Sequence, residues 1–163
     1  MKTKLIPILL CLVFIVSLCA CNESDYKNDV SSKDIADAIV TSINDADGFT
    51  SPDSDFVEFN MEGVSALCED YTVMLSTVSI NINEFGIFRT KSEKDAEQIA
   101  ALCQKYIDQK VDSYMNGPQY LPEEYPKIQN ASVKVYGCYV VYTVLTDANT
   151  STVDSVVLEK LAK

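Results

Sequence analysis

Cys21 has the surroundings that most clearly set up a reaction. It closes the stretch Leu18-Cys19-Ala20-Cys21, behind a charged start, Met1–Lys4, and an almost wholly apolar run, Leu5–Leu18. That run has signal-peptide length and is too short for a comfortable membrane span. A leucine at −3, a small residue at −1 and a cysteine at +1 are similar to a bacterial lipobox. An ordinary signal-peptidase site prefers a small residue at −3, where Leu18 stands. The expected chemistry is transfer of a diacylglyceryl group to the Cys21 thiolate. Two acyl chains anchor stably where one is marginal, since each buried methylene contributes about 0.8 kcal/mol.

Beyond Cys21 lie Cys68, Cys103 and Cys138, an odd number, so at most one pair can close within one chain. Cys103 falls on an apolar helical stripe and Cys138 in a predicted core strand, positions that suit small buried hydrophobes. There is no Cys-x-x-Cys. Among carboxylates, Glu123 and Glu124 are adjacent on a connector and do not face one another across a substrate. Glu84 opens a predicted strand beside a turn, where a lone Glu is either solvated or paired with Arg89 or a nearby Lys. Tyr120 and Tyr125 combine apolar area with a hydroxyl and either form a binding edge or pin the connector to the core. Glu84, Tyr120 and Tyr125 are therefore the candidate interaction residues. Asn44-Asp45-Ala46-Asp47-Gly48 hints at a calcium loop, but aligning Gly48 with loop position 6 puts Ile43 and Ser54 where acidic ligands belong. An acidic, solvated loop is the better reading.

Composition narrows the chemistry further. The 163 residues contain no His and no Trp, which excludes a Ser-His-Asp triad, a Cys-His pair and any His-ligated metal. Hydrophobic residues at 47% and aromatic residues at 9% suffice for a packed core. The net charge of −11 argues against nucleic acid, whose phosphates need Lys and Arg. Removing residues 1–20 takes away Lys2 and Lys4 and no acid, so the remainder is more acidic still. No P-loop, Gly-x-Ser-x-Gly or dinucleotide fingerprint is present, and no cofactor is expected.

The elements that must position these residues follow from periodicity. Residues 1–20 read as a lipoprotein signal peptide. Residues 21–32 read as the lipidated Cys and a polar, flexible tether; Asn22–Ser32 would span about 17–20 Å as a coil. Residues 33–163 read as a single α+β domain. Ser31 or Ser32 caps a helix bearing Ile35, Ala38, Ile39 and Ile43, and Gly48 stops it. Phe56–Leu67 is ambiguous, a short helical face interrupted by Gly63. Tyr71–Ile80 is β-branched and aromatic, hence a strand, with a phase change that predicts a bulge or twist near Ser76. Glu84–Thr90 returns as a second strand. Ser92–Asn116 is the clearest helix, with a capping pattern at Ser92 and Asp95, and an apolar stripe from Ala96 to Tyr114. Asn116-Gly117-Pro118 stops it. Val133–Tyr136 and Cys138–Leu145 are strands joined near Gly137, the latter apolar on both faces. A last helix begins at Thr150–Thr152. The expected architecture is an antiparallel four-stranded sheet in ββα-ββα order with an additional N-terminal helix, its apolar faces spent on the core and leaving little concave surface.

Four stretches carry a family resemblance: Asp34–Ile39; Asn83–Phe88 followed by Lys91–Ala96; Tyr120–Tyr125; and Val133–Val141. In this order and spacing the chain resembles small bacterial lipoproteins of the Domain of Unknown Function family, serial four-three-five-eight, over about Asp34 to Leu161. The resemblance implies location and fold and carries no activity. The chain departs from it in placing Cys138 beside Gly137, where a polar residue is expected.

The function expected from these observations is that of a lipid-anchored extracytoplasmic lipoprotein on the cell membrane. Its domain is a non-catalytic module that binds an envelope protein or a small ligand. The alternative is an envelope enzyme using carboxylates alone, of the glycan hydrolase type, which needs two carboxyls facing each other across a cleft. A transporter's ligand receptor would need two lobes, and the chain is short for that.

Overall fold

The computed structural model describes residues 25–43, 45, 47–116 and 121–163. Cys21, the apolar leader and Tyr120 lie outside the described residues. The chain runs α1 (Ser32–Ser42), β1 (Phe49–Thr50), α2 (Ser54–Asn60), α3 (Val64–Leu67), β2 (Cys68–Ser76), β3 (Glu84–Thr90), α4 (Glu93–Asn116), α5 (Tyr125–Gln129), β4 (Ser132–Tyr136), β5 (Tyr139–Val144) and α6 (Asp147–Leu161).

The expected four-stranded sheet in ββα-ββα order is corrected. The sheet has five strands in the order β1-β2-β3-β5-β4, and every neighbouring pair is antiparallel. The added strand is Phe49–Thr50, too short for a periodic signal, which pairs with Ser76 and Leu75 at one edge. The second hairpin turns its later strand inward. All six residues of β5 are buried, whereas β4 exposes Lys134 and Val135 and suits an edge. Gly137 makes that hairpin possible, with φ at 59° in the left-handed region.

Helices cover both faces. On one face α1 and α6 pack Ile35, Ile39, Val153, Val157 and Leu161 against Phe85, Ile87, Tyr139 and Val141. On the other, α4 lays Ala96, Ile99, Cys103, Tyr106 and Ile107 over Val73, Phe88, Val140, Tyr142 and Val144, with α2, α3 and α5 closing its flanks. Caps fix the helix starts. Ser31 accepts from the Asp34 amide, Asp53 from Phe56 and Thr146 from Asn149. Ser92 Oγ accepts from the Asp95 amide at 3.2 Å and donates to Asp95 Oδ2 at 2.6 Å.

Several local expectations are adjusted. The β2 irregularity lies between Cys68 and Asp70, and the strand simply ends at Ser76. The connector contains the helix α5, and α6 begins at Asp147, before Thr150. Cys138 sits in the β4–β5 turn, ahead of the strand. From Tyr26 onward the polar N-terminal segment lies against the domain. Tyr26 bridges to Ala162, Lys27 N donates to Leu161 O at 2.9 Å, and Tyr139 Oη donates to Val30 O at 2.7 Å.

Candidate functional site

Strand β3 alternates its side chains between the two cores. Phe85 and Ile87 face α1 and α6, while Glu84, Gly86 and Phe88 face α4. Gly86 stands opposite Tyr142 in the register, and a Cβ there would lie 2.3 Å from Tyr142 Cε1 and 2.9 Å from Phe88 Cε2. Lacking one, Gly86 lets the Tyr142 ring lean across β3. Tyr71, Phe88 and Tyr142 then stack in series, at 6.0 and 6.1 Å between centroids, and Tyr106 meets Tyr142 edge-on at 5.8 Å.

Tyr106 and Lys110 are four residues apart on α4 and share a helix face. That face brings both over Glu84. Lys110 Nζ donates to Glu84 Oε2 at 2.8 Å, and the Tyr106 hydroxyl donates to the same oxygen at 3.4 Å. Lys110 Nζ also lies 5.0 Å from the centroid of the Tyr106 ring. Glu84 is 4% exposed. Burial raises its pKa above the usual carboxylate range, against the opposing pull of Lys110 and Tyr106. Burial likewise pushes the Tyr106 and Tyr142 hydroxyls well up. Two buried oxygens here have no hydrogen-bond partner among the described residues, Glu84 Oε1 and Tyr142 Oη.

Beside this cluster lies a groove of about 740 Å³. Helix α4 supplies Tyr106, Gln109, Lys110 and Tyr114 to its lining; α2 supplies Phe56 and α5 supplies Ile128. Such a volume is in the range of small-molecule sites. The expectation of little concave surface is therefore corrected: both sheet faces are covered, and the concavity forms between the covering helices. Glu124 holds one wall. Its Oε2 accepts from the Ile82 amide at 3.1 Å and from Lys127 Nζ at 2.6 Å. Tyr125 stacks on Tyr114 at 6.2 Å between centroids.

Of the predicted interaction residues, the structure thus places Glu84 behind the groove-lining Tyr106 and Lys110, to which it is bonded, and Tyr125 against the Tyr114 wall. Glu84 is neither solvated nor bonded to Arg89; it takes the nearby-Lys option, with Lys110. Arg89 points to the opposite face and pairs with Asp70. Glu123 is exposed and Glu124 is tied inward, so the two do not act as a pair. Tyr106, Lys110 and Tyr142 read as core stripe or surface in sequence. Only the four-residue spacing of Tyr106 and Lys110, aimed at a strand that begins with Glu, points to the cluster.

Among the described residues, Cys68, Cys103 and Cys138 are free thiols. Burial pushes Cys68 up to about 12 and Cys103 higher still. Asp45 and Asp47 accept from Asn83 Nδ2 at 2.5 Å and Asn81 Nδ2 at 2.7 Å, which ties the acidic loop to the β2–β3 turn. No cluster of three or more metal-ligating residues occurs among the described residues, nor a helix long and apolar enough to cross a membrane.

No curated protein and no solved structure matches the chain. A family profile does, over residues 64–145, just over half of the 163 residues. The matched segment runs from α3 through β5 and contains Glu84, Gly86, Tyr106, Lys110 and Tyr142. On that match the chain belongs to the family described as Domain of unknown function (DUF4358).

Proposed function

We propose that the protein is a lipoprotein anchored through Cys21 on the extracytoplasmic face of the cell membrane, and that its domain acts by binding a ligand in the α2–α4–α5 groove. Leu18-Cys19-Ala20-Cys21 and the apolar run before it support the anchor. The observation that carries the binding reading is the state of Glu84. The buried carboxylate is engaged by a lysine that itself lines the groove, as does Tyr106. A glycan hydrolase needs a carboxyl free to meet the scissile oxygen and a second one across the cleft. Glu84 lies buried outside the groove's lining, and among the described lining residues Asp112 is the only carboxylate, so no facing pair of carboxyls occurs among them, which favours recognition over hydrolysis. The raised thiol pKa values of Cys68 and Cys103 favour a packing role for these residues.

Two assays test this reading. A palmitate analogue fed to cells should label the wild type and leave Cys21→Ala unlabelled; equal label in both removes the anchor. The purified full chain should release no new reducing ends from envelope glycan. Release by the wild type and none by Glu84→Gln would replace binding with hydrolysis.

A further inference from the structure

Lys110, on the lining of the groove, holds its primary ammonium against the buried Glu84. Lys110 Nζ lies 2.8 Å from Glu84 Oε2 and 5.0 Å from the Tyr106 centroid. A carboxylate backed by aromatic rings is a donor set that recognises ammonium groups. The set is not saturated, since Glu84 Oε1 is buried with no hydrogen-bond partner among the described residues. Lys110 is the exposed member of the pair, its side chain 29% exposed against 5% for Glu84. Its four-carbon stem is flexible, so it is the part able to leave.

We propose that the groove takes a free alkylamine cation of the polyamine class, whose ammonium replaces that of Lys110 on Glu84. This assignment rests on the groove being the binding surface. The exchange keeps the buried carboxylate paired throughout and returns Lys110 to water, so the desolvation cost of Glu84 is not incurred a second time. The methylenes of the ligand lie along Phe56, Ile82 and Ile128, which line the same groove. A neutral ligand that displaced Lys110 would leave Glu84 unpaired in the interior. An anion would meet Glu84, the Asp112 side of the groove and a chain of net charge −11. That same field favours a multiply charged amine over a singly charged one.

The test is a titration of the full chain, in detergent, with 1,5-diaminopentane, followed by NMR at the Gln109, Ser113 and Ile128 amides. Saturable binding is expected, weakened about tenfold or more by Glu84→Gln, which leaves the ammonium without its carboxylate. Lys110→Met should tighten it by about tenfold, because the built-in competitor is gone. This second variant decides the matter should Glu84→Gln fail to fold. 1,5-Pentanediol should leave the amides unmoved. Equal binding of the diol, unchanged affinity in Lys110→Met, or preference for glutarate or for N-acetyl-lysine methylamide would overturn the assignment. Those last two results would leave the groove reading standing, whereas no shift with any probe would remove both.

Discussion

Gly86→Ala isolates the geometry on which the site depends. Gly86 is not among the glycines with positive φ, so alanine has no backbone penalty there. Stiffening the unfolded chain would by itself stabilise by about 0.4–1 kcal/mol. Against this stands the new Cβ, 2.3 Å from Tyr142 Cε1 and 2.9 Å from Phe88 Cε2. Both rings are fully buried and locked in the stack from Tyr71 to Tyr106, so neither moves cheaply. Overpacking of this kind costs about 1–3 kcal/mol, and a contact this short belongs at the upper end. The net expectation is a loss of about 2–3 kcal/mol, or a Tm lower by about 6–12 °C for a domain of this size. Urea and thermal unfolding measure it. Tyr142→Leu clears the ring, and adding Gly86→Ala in that background should cost less than about 1 kcal/mol. A neutral or stabilising Gly86→Ala, or an equal cost in both backgrounds, would refute the reasoning.

Lys110→Met leaves Glu84 buried without its cation. Breaking a fully buried pair costs about 3–5 kcal/mol, and the partial exposure of Lys110 reduces this to about 2 kcal/mol, read as a shift in urea midpoint at constant slope. Two carboxylates should give opposite pH dependences. Burial pulls the Asp70 carboxyl up, but hydrogen bonds from Ser32 and Arg89 prevail and hold it below its ordinary value of 3.8. Its contribution is present above that value and lost as pH falls through the folded pKa, so Asp70→Asn should flatten the acid limb of stability against pH. Glu84 is raised, so its contribution is full below its ordinary value of 4.5 and lost as pH rises through the folded pKa. Glu84→Gln should remove that decline, and an unchanged profile in either variant would contradict the assignment. At pH 8 an alkylating reagent should modify Cys138 before Cys68 and Cys103. After unfolding without reductant all three peptides should be modified, and a disulfide-linked peptide pair would contradict the free thiols.

Elements with a strong period and a clear cap are legible in this sequence. Strand β3 reads as Glu84–Thr90 in both views, and α4 differs by one residue at its start. The double-sided burial of β5 is equally plain from Val140, Tyr142 and Val144 against Tyr139 and Val141. The same pattern marks β5 as the inner strand of its hairpin, but which strand of the first hairpin it pairs with is a long-range choice that no local signal records. The two-residue β1 and five-residue α5 are shorter than any period that could announce them. The site is legible at one point only. Glu84 stands out as a carboxylate at a strand start, but its partners lie 22 and 26 residues away on α4, where Tyr106 extends an apolar stripe and Lys110 belongs to an ordinary amphipathic pattern. Gly86 shows its purpose only once β5 is laid beside β3, because the atom it avoids belongs to Tyr142.

The central claim is that the domain works by holding a ligand in the groove lined by Tyr106 and Lys110. A photo-crosslinking side chain at Gln109, which lines that groove, tests it most directly when the full chain is expressed in its own envelope and irradiated. The prediction is an adduct of one defined mass at Gln109, competed away by 1,5-diaminopentane and missing when the same side chain stands at Ser155 on α6. No adduct at Gln109, or the same adduct at both positions, would contradict it.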